Sequence, residues 1–128
     1  MFVAGTPNEA AKKLIQCTYD CWVAAMMFVE PGKDYKDIGA IIEDYVVQKG
    51  FSTVKNFCGH GIGSVFHTTP NILHYRNNEP NGQMAAGHTF TIEPMICEGS
   101  GTCSSTMFVL CFGSLEARTR SLLTSCSL

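Results

Sequence analysis

The stretch Cys58–Tyr75, CGHGIGSVFHTTPNILHY, holds three of the four histidines in the chain. His60, His67 and His74 are spaced seven residues apart, which would place them on one face of a helix. Three glycines and a proline within the same stretch exclude a helix, because both residue types disrupt helical backbone. Each histidine is therefore assessed by its own neighbours.

The neighbours of the three histidines predict different environments. His60 lies between two glycines, which let the backbone approach a metal ion, an anion or a substrate closely. His67 follows Phe66 and precedes a Thr-Thr-Pro sequence, where we expect a strand to end in a turn. His74 lies in an Asn-flanked, loop-like stretch. A lone histidine is more often structural or exposed than functional, so His60 is the first functional candidate, His67 the second and His74 the last.

The composition limits the classes of protein to which the chain can belong. It has 128 residues, a formal net charge of −2 and 16% charged residues, and it contains no basic run that would predict nucleic-acid binding. No apolar run is long enough to span a membrane, and the N-terminus lacks the pattern of a signal peptide, so we expect a cytoplasmic protein. Seven scattered cysteines without a CxxC pair are typical of reduced, packed thiols.

The first half of the chain has helical periodicity. A first helix is predicted to begin with Thr6 as its cap and to end before Pro31, and a second to run from near Asp34 to Gly50. Three large apolar side chains of the first helix are predicted to lie in the core: Trp22, Met26 and Met27.

The second half has the pattern of strands. Residues 51–57 predict one strand, and residues 88–96 alternate between apolar and polar side chains, which predicts another. One face of that strand is apolar, formed by Phe90, Ile92 and Ile96, and the other face carries Glu93. The predicted class is α/β, of the α+β type.

From Gly99 onward the composition changes to a segment rich in Ser, Thr and Cys. It has no regular period apart from the apolar run Met107–Phe112, so we expect an irregular segment. The predicted organisation is one domain over residues 1–99, followed by a divergent tail over residues 100–128.

The order of three motifs, GHGIG, then FH with a following proline, then FTIEPM, resembles the type 1 methionine aminopeptidases of metallopeptidase family M24. The longer stretches EPGKDYKDIGAIIEDYVVQKGFSTVKNFCGHGIG and YRNNEPNGQMAAGHTFTIEPMICEG extend the resemblance, which covers about residues 1–99. It implies about one half of the pita-bread fold, also called the creatinase/aminopeptidase-like fold.

The resemblance implies a role for each residue of these motifs. His60 corresponds to a metal ligand, and Glu93 corresponds to a second ligand that also transfers protons. His67 corresponds to a residue that contacts the scissile peptide and takes part in catalysis. Phe66 and Cys58 correspond to residues that line the substrate site, where Phe66 forms a wall of the methionine pocket. His74 has no corresponding ligand role.

The implied chemistry is hydrolysis of the first peptide bond of new proteins, with two divalent metal ions per site. Neutral imidazole and carboxylate are good ligands for Co, Mn, Fe or Zn. The implied partners are peptides or nascent chains that begin with methionine, and the ribosome, with no nucleic acid and no membrane.

Two of the five metal ligands of this family, His60 and Glu93, have counterparts in the chain. Met1 and Phe2 match the end of the motif that carries two aspartate ligands, and the flanks of Glu116 do not match those of the fifth ligand. We therefore expect a chain that is truncated at both ends. Taken alone, it is expected to be defective as an enzyme. The alternatives are a non-catalytic interaction protein derived from the same fold and a poorly folded fragment.

Overall fold

The computed structural model describes residues 3–99 and the backbone of residues 108–110 and 114–116. Two helices, α1 (Glu9–Phe28) and α2 (Tyr35–Gln48), precede the strands. The cap of α1 is Asn8, not Thr6 as predicted, and its side-chain oxygen accepts a hydrogen bond of 2.8 Å from the amide of Ala11. Asn8 satisfies one of the free amides of the first helical turn, which Thr6 is too far upstream to reach.

Seven short strands follow the helices. They are β1 (Ser52–Thr53), β2 (Cys58–Gly61), β3 (Thr68–Leu73), β4 (Thr89–Thr91), β5 (Met95–Cys97), β6 (Phe108–Leu110) and β7 (Ser114–Glu116). They form a three-stranded sheet in the order β1-β5-β6 and a four-stranded sheet in the order β3-β2-β4-β7, and every pair is antiparallel. The predicted strand over residues 51–57 is reduced to the two residues of β1.

The predicted strand over residues 88–96 is two strands in two different sheets. The chain leaves the four-stranded sheet after Thr91 and enters the three-stranded sheet at Met95. Pro94 lies in this junction and has no amide hydrogen to donate to a neighbouring strand, which explains the interruption. The apolar face is confirmed, because Phe90, Ile92 and Ile96 are fully buried. Met95 is buried as well, although alternation would place it on the opposite face from Ile96.

The segment after Gly99 contributes to both sheets, which corrects the expectation of an irregular tail. Strand β6 lies within the predicted apolar run and pairs with β5, and β7 pairs with β4. The other residues of 100–128 lie outside the described residues, and the domain boundary at residue 99 stays a prediction.

Both helices pack against the sheets through one apolar core. The indole nitrogen of Trp22 donates a hydrogen bond of 3.1 Å to the carbonyl oxygen of Ile92, which connects α1 to the junction between the sheets. Trp22 is buried as predicted and Met26 is partly buried, whereas the side chain of Met27 is 71% exposed. Within the described residues, no helix has the length and apolar character needed to cross a membrane.

Helix α2 approaches the end of β3 closely at Gly39. A Cβ atom at this position would overlap the carbonyl oxygens of Leu73 and Tyr75. Only glycine therefore allows the helix to lie at this distance from the strand.

We predict that Gly39→Ala lowers the free energy of unfolding by about 1–3 kcal/mol, because the added methyl group forces helix and strand apart. The matched control is Gly63→Ala, where an added Cβ meets nothing within 4 Å. That variant should change stability by less than about 0.5 kcal/mol. Urea unfolding of both variants checks the prediction, and equal effects in the two would contradict it.

Candidate functional site

His60 and Glu93 face each other near the centre of the four-stranded sheet. His60 lies on β2, which is paired on both sides, and Glu93 follows β4 by two residues. His60 Nε2 lies 3.4 Å from Glu93 Oε1, and the two side chains are only 11% and 16% exposed. The structure thus brings together the two residues predicted as metal ligands.

Thr91 ties the two candidate ligands to each other. Its hydroxyl oxygen accepts a hydrogen bond of 3.0 Å from the backbone amide of His60, and its hydroxyl group donates one of 2.8 Å to Glu93 Oε1. The donated bond goes to a charged acceptor and is the stronger kind. Strand β4 therefore holds both the backbone of His60 and the carboxylate of Glu93.

The hydrogen bonds of His60 fix which ring nitrogen is free to bind a cation. Its Nδ1 lies 3.0 Å from the carbonyl oxygen of Gly61, which can only accept, so Nδ1 carries a proton. In the neutral ring, the lone pair of Nε2 then faces Glu93 Oε1. Two acceptors at this distance repel each other unless a cation, either a proton or a metal ion, lies between them. This arrangement fits metal binding through Nε2 and the carboxylate.

The glycines on either side of His60 serve close contacts between strands. A Cβ atom on Gly59 would overlap the carbonyl oxygen of Thr91, and one on Gly61 would overlap that of Thr69. The backbone of β2 does make close approaches, as the sequence predicts. The groups it approaches belong to the neighbouring strands β4 and β3.

The pairing of β2 with β3 is irregular beside His60. One step along β2, from His60 to Gly61, is matched by three along β3, from Asn71 to Thr68. Such a bulge changes the direction of nearby side chains and is common beside functional sites.

His67 and Phe66 lie on the solvent side of His60. The ring centroids of His60 and His67 are 4.4 Å apart, and those of Phe66 and His67 are 4.6 Å apart in an edge-on arrangement. His67 is exposed and Phe66 is 67% exposed. His67 lies immediately before β3, so the prediction that it marks the end of a strand is wrong.

Cys58 is part of the same strand as His60. It lies two residues earlier on β2, and alternate residues of a strand share a face. Burial raises the pKa of the Cys58 thiol, and the nearby charge of Glu93 raises it further. The thiol therefore stays protonated at pH 7.

The described residues do not form a complete metal site. Among residues 3–99 and the two short strands that follow, no group of three or more His, Cys, Asp or Glu side chains is arranged to hold a metal ion. His60 and Glu93 fit as two ligands, and further ligands must come from outside this set.

His74 was not expected to have any role in the site, yet it contacts Glu93. It follows β3 directly, is 1% exposed, and its Nε2 accepts a hydrogen bond of 3.2 Å from the backbone amide of Glu93. Burial lowers the pKa of His74 to about 4, so the ring is neutral at pH 7. The burial of His74 is indicated by its distance of two residues from Ile72, because alternate residues of a strand share a face and Ile72 is also fully buried.

The other ring nitrogen of His74 has no partner in the described part of the chain. Because Nε2 accepts, the proton of the neutral ring is on Nδ1, which is buried without a hydrogen-bond acceptor. A buried donor left without a partner costs about 1–3 kcal/mol.

Comparison with known proteins gives consistent results. The sequence profile of metallopeptidase family M24 matches residues 1–118. Methionine aminopeptidase 1 of Dictyostelium discoideum is 46% identical over 99 residues, which cover 77% of this chain and 27% of that protein. Methionine aminopeptidase of Escherichia coli (strain K12) is 42% identical over 99 residues, which cover 77% of this chain and 38% of that protein. The chain thus spans well under half the length of these relatives.

Solved structures match the fold. The crystal structure of methionine aminopeptidase from Rickettsia prowazekii aligns with a TM-score of 0.82 and 31% identity, and covers 89% of this chain and 51% of that chain. That from Thermotoga maritima aligns with a TM-score of 0.85 at 23% identity and covers 91% and 52%, which supports the fold alone. The expected architecture, about half of the pita-bread fold, is confirmed.

We predict a loss of stability in acid that depends on His74. The unfolded ring takes up a proton near its ordinary pKa of 6.5 and the folded ring only near about 4, so the unfolded state binds more protons between these values. The free energy of unfolding should therefore fall by about 1.4 kcal/mol for each pH unit below 6.5, on the order of 3 kcal/mol by pH 4.

Urea unfolding at several pH values, compared with His74→Gln, measures this contribution. Glutamine does not titrate, so the variant should lose this part of the pH dependence while the contribution of the carboxylates remains. Equal pH dependence in both proteins would show that His74 is not held neutral by the fold.

Proposed function

The chain belongs to metallopeptidase family M24, and from this premise we propose that His60 and Glu93 are metal ligands in a site that removes N-terminal methionine from peptides. The observation that carries the proposal is the arrangement of His60 Nε2 and Glu93 Oε1. The two acceptors lie 3.4 Å apart, and the His60 proton is held on the opposite ring nitrogen by Gly61. A divalent cation converts this repulsion into two bonds.

The donor set favours Mn, Fe, Co or Zn, because these ions accept imidazole together with carboxylate. When bound, a divalent metal ion polarises the substrate carbonyl group and makes a water molecule more acidic. A pair of ions would require further ligands beyond His60 and Glu93, from outside the described residues. Metal dependence itself follows from the family, whereas the identity and number of the ions belong to this proposal.

We assign to His67 the binding of the substrate carbonyl group. It is exposed and lies against the His60 ring, so a peptide carbonyl bound beside His60 comes within its reach. A ring nitrogen of His67 can donate a hydrogen bond to the carbonyl oxygen. That bond strengthens as negative charge develops on the oxygen, which lowers the barrier for hydrolysis.

Phe66 and Cys58 are suited to an apolar substrate side chain. Phe66 presents a largely exposed ring beside His67, and the thiol of Cys58 is neutral because burial raises its pKa. The unbranched thioether of methionine packs well against aromatic rings. The substrate class is therefore peptides that begin with methionine, including new proteins. Ribosome association stays a prediction of the resemblance, and a cytoplasmic location stays a prediction of the sequence pattern.

We predict that Mn²⁺ binds between His60 and Glu93. In NMR spectra of the ¹⁵N-labelled chain, added Mn²⁺ should broaden the backbone signals of these two residues first. His60→Ala and Glu93→Gln should each weaken binding by at least about tenfold, the lower bound for residues that only support a ligand.

The matched control for Glu93→Gln is Glu79→Gln, which removes the charge of an exposed carboxylate. Its Mn²⁺ affinity should stay within about twofold of the unaltered chain, since an exposed charge has only a screened effect. Broadening centred away from β2, or an equal loss in all three variants, would contradict the metal assignment.

We further predict that the metal-loaded chain prefers L-methioninamide over L-alaninamide. Binding of the two amides is measured by NMR titration of the ¹⁵N-labelled chain. Zn²⁺ is used as the metal, because it does not broaden NMR signals. Phe66→Ala should remove most of the preference, since loss of a buried apolar contact of this size costs about 1.5–3 kcal/mol. His67→Ala should weaken binding of both amides and leave Zn²⁺ affinity unchanged.

Phe57→Ala is the control for loss of an aromatic ring, because Phe57 is also exposed but has no ring contact with His60 or His67. The preference for methioninamide should survive in that variant. If Phe66→Ala and Phe57→Ala behave alike, the methionine pocket does not include Phe66.

A further inference from the structure

The junction between the two sheets leaves the backbone of Glu93 without support from a strand. Glu93 lies between β4 and β5, and Pro94, which follows it, has no amide hydrogen. The amide of Glu93 donates instead to Nε2 of His74, across 3.2 Å. A side chain from the end of β3 therefore takes the place of a neighbouring strand.

Two contacts together determine where the Glu93 carboxylate lies. Thr91 donates a hydrogen bond to Oε1, and His74 holds the backbone amide. The first contact sets the orientation of the carboxylate and the second sets the position of its backbone. Loss of the second would leave the Glu93 backbone held only through its buried neighbours, Ile92 and Pro94.

The ring of His74 makes this contact from an almost completely buried position. Its Nδ1 is buried without a partner in the described part of the chain, so Nε2 is the ring nitrogen that connects His74 to its surroundings there. Gly59 leaves room for the ring, because an added Cβ would lie 3.3 Å from His74 Nε2. The fold thus keeps a buried acceptor beside the Glu93 amide.

We propose that His74 is a positioning residue, which holds the backbone of Glu93 through Nε2 so that the carboxylate faces His60 Nε2. It contacts neither substrate nor metal and acts through Glu93. The inference rests on the proposed function for its consequence in metal binding, whereas the hydrogen bond itself is tested independently of any metal.

The test compares His74→Leu, which removes the acceptor, with His74→Gln, whose side-chain oxygen can replace it. In the metal-free chain, hydrogen exchange at the Glu93 amide should be at least about tenfold faster in His74→Leu than in the unaltered chain, because the amide loses its partner. His74→Gln should restore most of the protection. Unchanged exchange in His74→Leu would overturn the proposal.

Mn²⁺ affinity is the second measurement. His74→Leu should weaken binding about 10–100-fold, the usual effect of removing a group that orients a ligand, and His74→Gln should recover most of it. The control is Ile72→Val, which disturbs the same buried face of β3 and should lower stability while leaving Mn²⁺ affinity within about twofold. If Ile72→Val weakens binding as much as His74→Leu, His74 is merely structural.

The two measurements separate the possible failures. If the unaltered chain does not bind Mn²⁺ at His60 and Glu93, the proposed function fails, and the exchange of the Glu93 amide still decides whether His74 holds Glu93. If His74→Leu does not fold, His74→Met replaces it, because methionine fills irregular space with only a weak acceptor. Normal metal affinity in a folded His74→Met variant would also overturn the proposal.

Discussion

The close approach of β3 and β4 to β2 is the constraint on which the site depends. Gly59 and Gly61 let the carbonyl oxygens of Thr91 and Thr69 come nearer than any side chain would allow. That approach places His60 between β3 and β4, where Thr91 can bond to its amide and Glu93 can face its ring. The two glycines have no reactive group, yet they set the distance between the side chains of His60 and Glu93.

Much of this arrangement was predictable from local patterns. The helices follow from apolar periodicity, and the burial of Phe90, Ile92 and Ile96 follows from the alternation within residues 88–96. The ordered motifs around His60 and Glu93 carry a resemblance to family M24, and that resemblance implied both candidate ligands. Phe66, His67 and Cys58 also came from those motifs, and the structure places the rings of Phe66 and His67 against or near that of His60.

What the sequence did not reveal depends on contacts between distant segments. The division of residues 88–96 between two sheets requires partners for each half, and one partner of each, β7 or β6, lies in a segment without a clear period. The role of His74 was missed because its flanking asparagines are typical of a loop, whereas its burial depends on strands more than ten residues away. The purpose of the two glycines was misassigned for the same reason, since only the paired strands show what they approach.

The hydrogen bond from Trp22 to Ile92 places a fluorescent indole ring at the junction between the two sheets. Trp22 is the one tryptophan of the chain, and its indole nitrogen is bonded to the carbonyl oxygen of the residue that precedes Glu93. The emission of a buried indole responds to its hydrogen bonding and to nearby water. Its fluorescence is therefore an intrinsic probe of the junction between the sheets, and it reports on the surroundings of Glu93 without any label.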